Sequence, residues 1–325
     1  MALVLTRQDV SSIIDMEEVI DTVRAAHADH AAGRANQPTR VTVPLPGTPS
    51  SILPMPAAVG PTGAAGLKLL SVFPDNPGKG LPLLSATILL VDPDSGRCDA
   101  VLEGGLLTAY RTAAASAVAT GVLSRQESTT LGLVGAGIEA RTHLRAMLAT
   151  RPIDRVVVWS RNRATAERFA SEMQDEPVQI DVVDTPEAAT RTADILCTLT
   201  PSPTPIVHGE WFAPGLHVNA VGTHWIDKRE LDTEAIVRSR VVVDSRDANE
   251  LECGDLMIPV AEGAITTSHF DDELGELLND EKPGRTGDTE ITMYQSVGVA
   301  IQDVATARML VSKARAAGVG SEVGL

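Results

Sequence analysis

Apolar and polar residues follow two rhythms along this chain, and the change falls near residue 129. Val19, Ile20, Val23 and Ala26 recur at helical spacing behind Asp15. Asp15 can cap that helix, with Glu18 three residues on, and Gly33 closes the segment. Short β-like pieces follow at Arg40–Val43, Ser51–Leu53 and Gly66–Val72, separated by Pro and Gly. Thr87–Asp92 and Arg97–Leu102 read as two strands joined by Pro93-Asp94-Ser95-Gly96, which carries hairpin turn chemistry. The first hundred residues therefore predict an antiparallel sheet behind a helix, and Leu106–Leu123 predicts an Ala-rich helix.

From Thr129 strand and helix patterns alternate. Strands are expected at 130–135, 155–160, 178–183, 194–199, 216–221 and 240–244, with helices between most of them. That order predicts a doubly wound parallel sheet, whose ligands bind at the carboxyl ends of the strands. Val297–Gly318 then reads as one long helix free of Pro, able to pack back onto the first domain and make it discontinuous.

The stretch Thr129–Thr150 organises the second half. Four of the six residues Leu131–Ala136 are apolar, as a buried strand requires. Gly135-Ala136-Gly137-Ile138-Glu139-Ala140 follows, then a helical run free of Gly and Pro. This is the G-x-G-x-x-[GA] turn of a dinucleotide-binding unit. Gly135 permits the tight turn, Gly137 lets backbone approach a pyrophosphate, and Ala140 lets helix and strand pack closely. The helix N-terminus offers its N–H groups to the phosphates. One strand later, Ser160 stands where an NAD-binding unit places an acid for the ribose, and Arg161 and Arg163 follow. A small polar residue plus Arg suits a 2′-phosphate, so NADP(H) is favoured over NAD(H).

Composition narrows the function. At 325 residues two domains are expected, and 43% hydrophobic residues suffice for a sizeable core. No apolar run reaches the ~18 residues of a membrane span. MALVLTRQDV lacks a basic region followed by a long apolar core, so no secretory signal is expected. Cys98, Cys197 and Cys253 are odd in number and far apart, which suits a reducing cytoplasm and argues against disulfides or a metal cluster. A net charge of −16 argues against nucleic-acid or anionic-membrane partners.

Three cations stand out because their neighbours are apolar: Arg40, Lys68 and Arg111. Any one alone reads as an internal salt bridge or an exposed strand face. Together they can form a cationic pocket for a small carboxylate. His224 lies just past the end of the strand expected at 216–221 and can exchange a proton near neutral pH. His27 and His30 fall on a polar helix, and the remaining histidines have no metal-ligand spacing; these read as structural or exposed.

These residues resemble the ornithine cyclodeaminase/mu-crystallin family across nearly the whole chain. The match is carried by Gly66–Pro82, Leu107–Ala114, the turn at Gly135, Val218–Leu231, Val242–Gly254 and Gly284–Val304. The resemblance implies a homodimer with a Rossmann-type NAD(P) domain and a discontinuous α+β domain that binds substrate and dimerises. The expected boundaries are 1–115 with 299–325, and 116–298. It implies substrate-carboxylate and catalytic roles for Arg40, Lys68 and Arg111, and a place beside the substrate for Val297. Cofactor contacts are implied for Thr112, Ile138, Glu139, Thr200, Val221, Lys228 and Ser296. Cyclodeaminases carry an Asp acid/base in G-G-D-x-P-G-K-x-E-L, where this chain reads Gly222-Thr223-His224-Trp225-Ile226-Asp227-Lys228-Arg229-Glu230-Leu231. Loss of that Asp counts against cyclodeamination and leaves hydride transfer intact. The expected activity is NAD(P)H-dependent reduction of a small α-imino acid, or the reverse dehydrogenation. Lys68 and His224 are its catalytic candidates. The alternatives are cyclodeamination of ornithine or lysine, and a non-catalytic NADPH-dependent binder.

Overall fold

The structure is a computed structural model that describes residues 1–324. The chain divides into two units, one of residues 1–112 with 299 onward, the other of residues 113–298. The division falls inside the helix Gly104–Leu123, at 112/113 where 115/116 was expected.

Among the described residues, eight strands form the sheet of the first unit. Seven run in the order Ser321–Val323, Ala2–Leu5, Cys98–Glu103, Leu84–Val91, Ala64–Val72, Ser51–Val59, Ala35–Asn36. All neighbours are antiparallel except Ala2–Leu5 beside Cys98–Glu103. Val43–Pro44 pairs with the start of Ser51–Val59, but Arg40–Thr42 is not strand. Pro38 and Pro44 flank that stretch, and Pro has no N–H to donate to a ladder. The helix Met16–Ala31 begins as expected, with Asp15 Oδ1 accepting the Glu18 N–H at 3.1 Å. The helix Ala300–Ala317 packs on the sheet, burying Ile301, Val304 and Leu310 with Ile88, Leu90 and Leu102.

The second unit holds a wholly parallel sheet in the order Gln179–Val182, Arg155–Trp159, Thr130–Val134, Ile195–Thr198, His217–Ala220, Thr292–Gln295, Arg240–Val243, Asp272–Glu273. The six expected strands are present. Besides the two-residue edge strand Asp272–Glu273, Thr292–Gln295 is an addition, inserted between His217–Ala220 and Arg240–Val243. Its polar ends hid it, yet all four residues are buried and Thr292 Oγ1 donates to Leu123 O at 2.9 Å. Strand order reverses between Thr130–Val134 and Ile195–Thr198, the switch point where such sheets bind ligands. No helix among the described residues is long and apolar enough to cross a membrane.

Candidate active site

In the first unit, strand periodicity aims Lys68 inward. Ala64, Leu70 and Val72 of the same strand are buried, and residue 68 shares their face. A lysine cannot sit there without an anion. The helix Ala300–Ala317 supplies one: Lys68 Nζ lies 2.8 Å from Asp303 Oδ2. Arg111, on the helix Gly104–Leu123, donates through Nε to Asp303 Oδ1 at 2.9 Å and through Nη1 to Gln302 Oε1 at 2.6 Å. The Gln302 amide is thereby oriented, so its Nε2 donates to His27 Nε2 at 2.9 Å. Burial, together with charge repulsion from the neighbouring His30 and Arg111, pushes His27 down to about 3, leaving a neutral ring that can accept. Burial, reinforced by the Arg111 charge, pulls Lys68 down to about 7. Asp303 opposes that shift and Arg40 adds to it, so Arg40 belongs to the same electrostatic cluster.

In the second unit, a cleft of about 320 Å3 opens beside the Gly135 turn. Gly135 has φ +115°, and a Cβ there would lie 2.8 Å from Leu199 O. A Cβ on Gly137 would meet nothing, so the backbone ahead of the helix Ile138–Leu148 faces open space. Gly137 caps that helix without a side chain, leaving the first-turn N–H groups to an anion. Ala140 is fully buried against the sheet. This is the cradle that a pyrophosphate needs. Ser160, Arg161 and Thr200 line the same cleft. Arg161 forms no ion pair among the described residues, whereas Arg163 is turned to Glu167, at 2.9 Å, and to Asp184. Ile138 is half exposed and Glu139 partly buried.

Past the strand ends, Thr200 gives both its N–H (2.8 Å) and its hydroxyl (2.6 Å) to Glu230 Oε1. Burial and the neighbouring Asp255 carboxylate push Glu230 up to about 8, opposed by these donated hydrogen bonds. Ser296 Oγ donates to Asp244 Oδ2 at 3.0 Å, and Gly298 N–H reaches the same oxygen at 2.7 Å. That clamp holds Ser296 and Val297, both buried. His224 stacks on Trp225 at 3.9 Å, and Lys228 Nζ sits 4.2 Å from the same indole.

Arg40, Lys68 and Arg111 thus share one cluster of the first unit, while Gly135, Gly137, Ser160, Arg161 and Thr200 share one cleft of the second. Thr112 is buried one residue beyond Arg111, and Val221 is half-buried beside Gly222. His27 is not a polar-face residue but a buried member of the Lys68 cluster. Asp303, Gln302 and Glu230 were not anticipated. The groups of three or more His, Cys, Asp or Glu that could hold a metal are absent among the described residues.

A sequence model described as the ornithine cyclodeaminase/mu-crystallin family matches residues 1–318. A Delta(1)-pyrroline-2-carboxylate reductase of Bacillus cereus is 35% identical over 325 residues, covering 99% of each chain. The solved Delta(1)-pyrroline-2-carboxylate reductase of Thermococcus litoralis, in complex with NADH and L-proline, is 40% identical with TM-score 0.96, covering 99% of this chain and 100% of that one. An archaeal alanine dehydrogenase dimer with bound NAD is 34% identical with TM-score 0.95, covering 100% and 99%.

Proposed function

The chain belongs to the ornithine cyclodeaminase/mu-crystallin family, and from that premise we propose that it is an NAD(P)H-dependent reductase of a small α-imino acid, running in reverse as an amino-acid dehydrogenase. One observation carries this reading: a sealed lysine flanked by guanidinium and neutralised by a single carboxylate, Lys68–Asp303–Arg111. Arg111 commits Nε and Nη1 to Asp303 and Gln302, which leaves Nη2 for a substrate carboxylate oxygen. Arg40 supplies the second cation for that carboxylate. Lys68, pulled down to about 7, can give a proton at neutral pH where an ordinary lysine would hold it. His224 is the second proton donor toward the forming amine. A bound nicotinamide dinucleotide would supply the hydride to the imine carbon as the nitrogen takes a proton, converting C=N to CH–NH.

The reading extends to the cofactor. Ser160 in place of an acid, and Arg161 on the cleft wall without an ion pair among the described residues, support NADP(H) over NAD(H). It also extends to assembly: Leu69, Leu81 and Leu84 leave large side chains exposed on the first unit, which supports a homodimer. The substrate is expected to be a small imino or amino acid, as for the relatives above.

The test is a panel. NADPH and NADH oxidation is followed with pyruvate plus ammonia or methylamine, glyoxylate plus amines, and pyrroline- and piperideine-2-carboxylate. Oxidation with at least one imine is the expected result. A protein that binds NADPH and turns over none of them overturns the reading.

A further inference from the structure

We infer that Glu230 is a positioning residue for the dinucleotide, acting as a clamp between the two loops that leave neighbouring strands of the nucleotide unit. The inference rests on the reading of the cleft beside Gly135 as the dinucleotide site. The strands Ile195–Thr198 and His217–Ala220 lie side by side and parallel. Thr200 follows the first and Gly222 the second. One carboxylate spans them: Oε1 accepts the N–H and the hydroxyl of Thr200, and Oε2 accepts the Gly222 N–H at 3.0 Å, a donor that also reaches Thr198 O at 3.1 Å. Glu230 does not itself line the cleft, whereas Thr200 does.

Three features make this a clamp rather than an incidental contact. Three donors, two from Thr200 and one from Gly222, converge on the two oxygens of this one side chain. The loops touch at backbone distance, since a Cβ on Gly222 would collide with both Glu230 Oε2 and Thr200 O. The Glu230 backbone is itself fixed. Its N–H and that of Leu231 go to Asp255 Oδ1 at 2.8 and 2.9 Å. Its carbonyl accepts from Ile206, which lines the cleft, at 2.8 Å and from Val207 at 3.1 Å. A fully buried acidic residue is costly, and here each hydrogen bond it makes sets the position of a loop flanking the switch point.

Glu230→Gln tests it on the full chain. Above about pH 8, where the Glu230 carboxyl is ionised, the amide keeps the volume but turns one acceptor into a donor facing other donors. NADPH affinity, read by quenching of protein fluorescence, is expected to weaken about tenfold. The KM for the dinucleotide should rise in step, with kcat falling by less than about threefold. An unchanged dissociation constant overturns the clamp, and so does a lower kcat at unchanged KM. A merely structural role would lower the melting temperature and leave affinity alone. Should Glu230→Gln not fold, Gly222→Ala forces the same two loops apart and must produce the same loss of affinity. Wild-type protein that binds neither NADPH nor NADH overturns the cleft reading itself. Wild-type binding with an unaffected variant overturns only the clamp.

Discussion

Lys68 and Asp303 are 235 positions apart in sequence and 2.8 Å apart in space, both sealed from solvent. Asp303 is the anion for two buried cations, Lys68 and Arg111. Asp303→Asn therefore leaves two positive charges in an apolar core, and a broken buried pair of this kind costs about 3–5 kcal/mol. Chemical denaturation should show that loss. Lys68→Ala is the milder change, because Asp303 keeps Arg111. It is expected to abolish imine reduction while leaving NADPH binding largely intact. Full activity in Lys68→Ala would remove Lys68 from the mechanism.

The pH dependence follows from the same pair. Lys68 is pulled from an ordinary value of 10.5 to about 7. If the protonated amine serves reduction, kcat/KM in that direction falls as pH rises through about 7, and the oxidative direction gains there. Stability has its own sign. Between about 7 and 10.5 the unfolded chain binds a proton on Lys68 that the folded chain does not, so this group's contribution to stability rises with pH across that window. A reductive kcat/KM that stays flat between about pH 6 and 9 would exclude Lys68 as the donor.

Much of this site was legible in the sequence, and each miss has its own physical cause. The Gly135 turn and the strand that leads to Ser160 are local patterns, read directly from spacing. Lys68 and Arg111 stood out as charges among apolar neighbours. Asp303 carries the same signal with the opposite sign, an anion among the apolar residues of Ala300-Ile301-Gln302-Asp303-Val304-Ala305. His27 was legible too. It lies four residues after Val23 and eight after Val19, on the stripe that Asp15 introduces, and it is buried with them. Glu230 and Asp255 are different. Their partners come from the ends of other strands, and no local pattern announces such a pairing. Thr292–Gln295 escaped because a central strand with Thr and Gln at its ends lacks the apolar run that buried strands show.

The proposed preference for NADP(H) is testable at Arg161. Arg161 lines the cleft and has no carboxylate partner among the described residues, while Arg163 is held by Glu167 and Asp184. Arg161→Ala should raise the KM for NADPH about tenfold, the loss of a charge-assisted bond to a 2′-phosphate, and leave that for NADH nearly unchanged. Arg163→Ala should change neither. Ser160→Asp should reverse the preference by repelling the phosphate and accepting from the ribose hydroxyls. Equal effects of Arg161→Ala on both dinucleotides would count against an NADP(H) site.

His224 can be removed without losing the loop that carries it, and this makes its role testable. The loop is anchored by backbone: the N–H groups of Lys228 and Gly254 both donate to Trp225 O, at 3.2 and 3.1 Å. Gly254 leaves no room for a side chain against Lys228 O, so the two segments stay in contact whatever stands at position 224. His224→Asn should therefore fold normally. It exposes one face of Trp225 and deletes an imidazole that can carry a proton near neutral pH. If His224 protonates the forming amine, kcat falls by about 10²–10⁴ with the KM for the imine nearly unchanged. A rise in KM at constant kcat would instead make the His224–Trp225 stack a substrate-binding surface. Wild-type kinetics in His224→Asn would leave Lys68 as the sole proton donor.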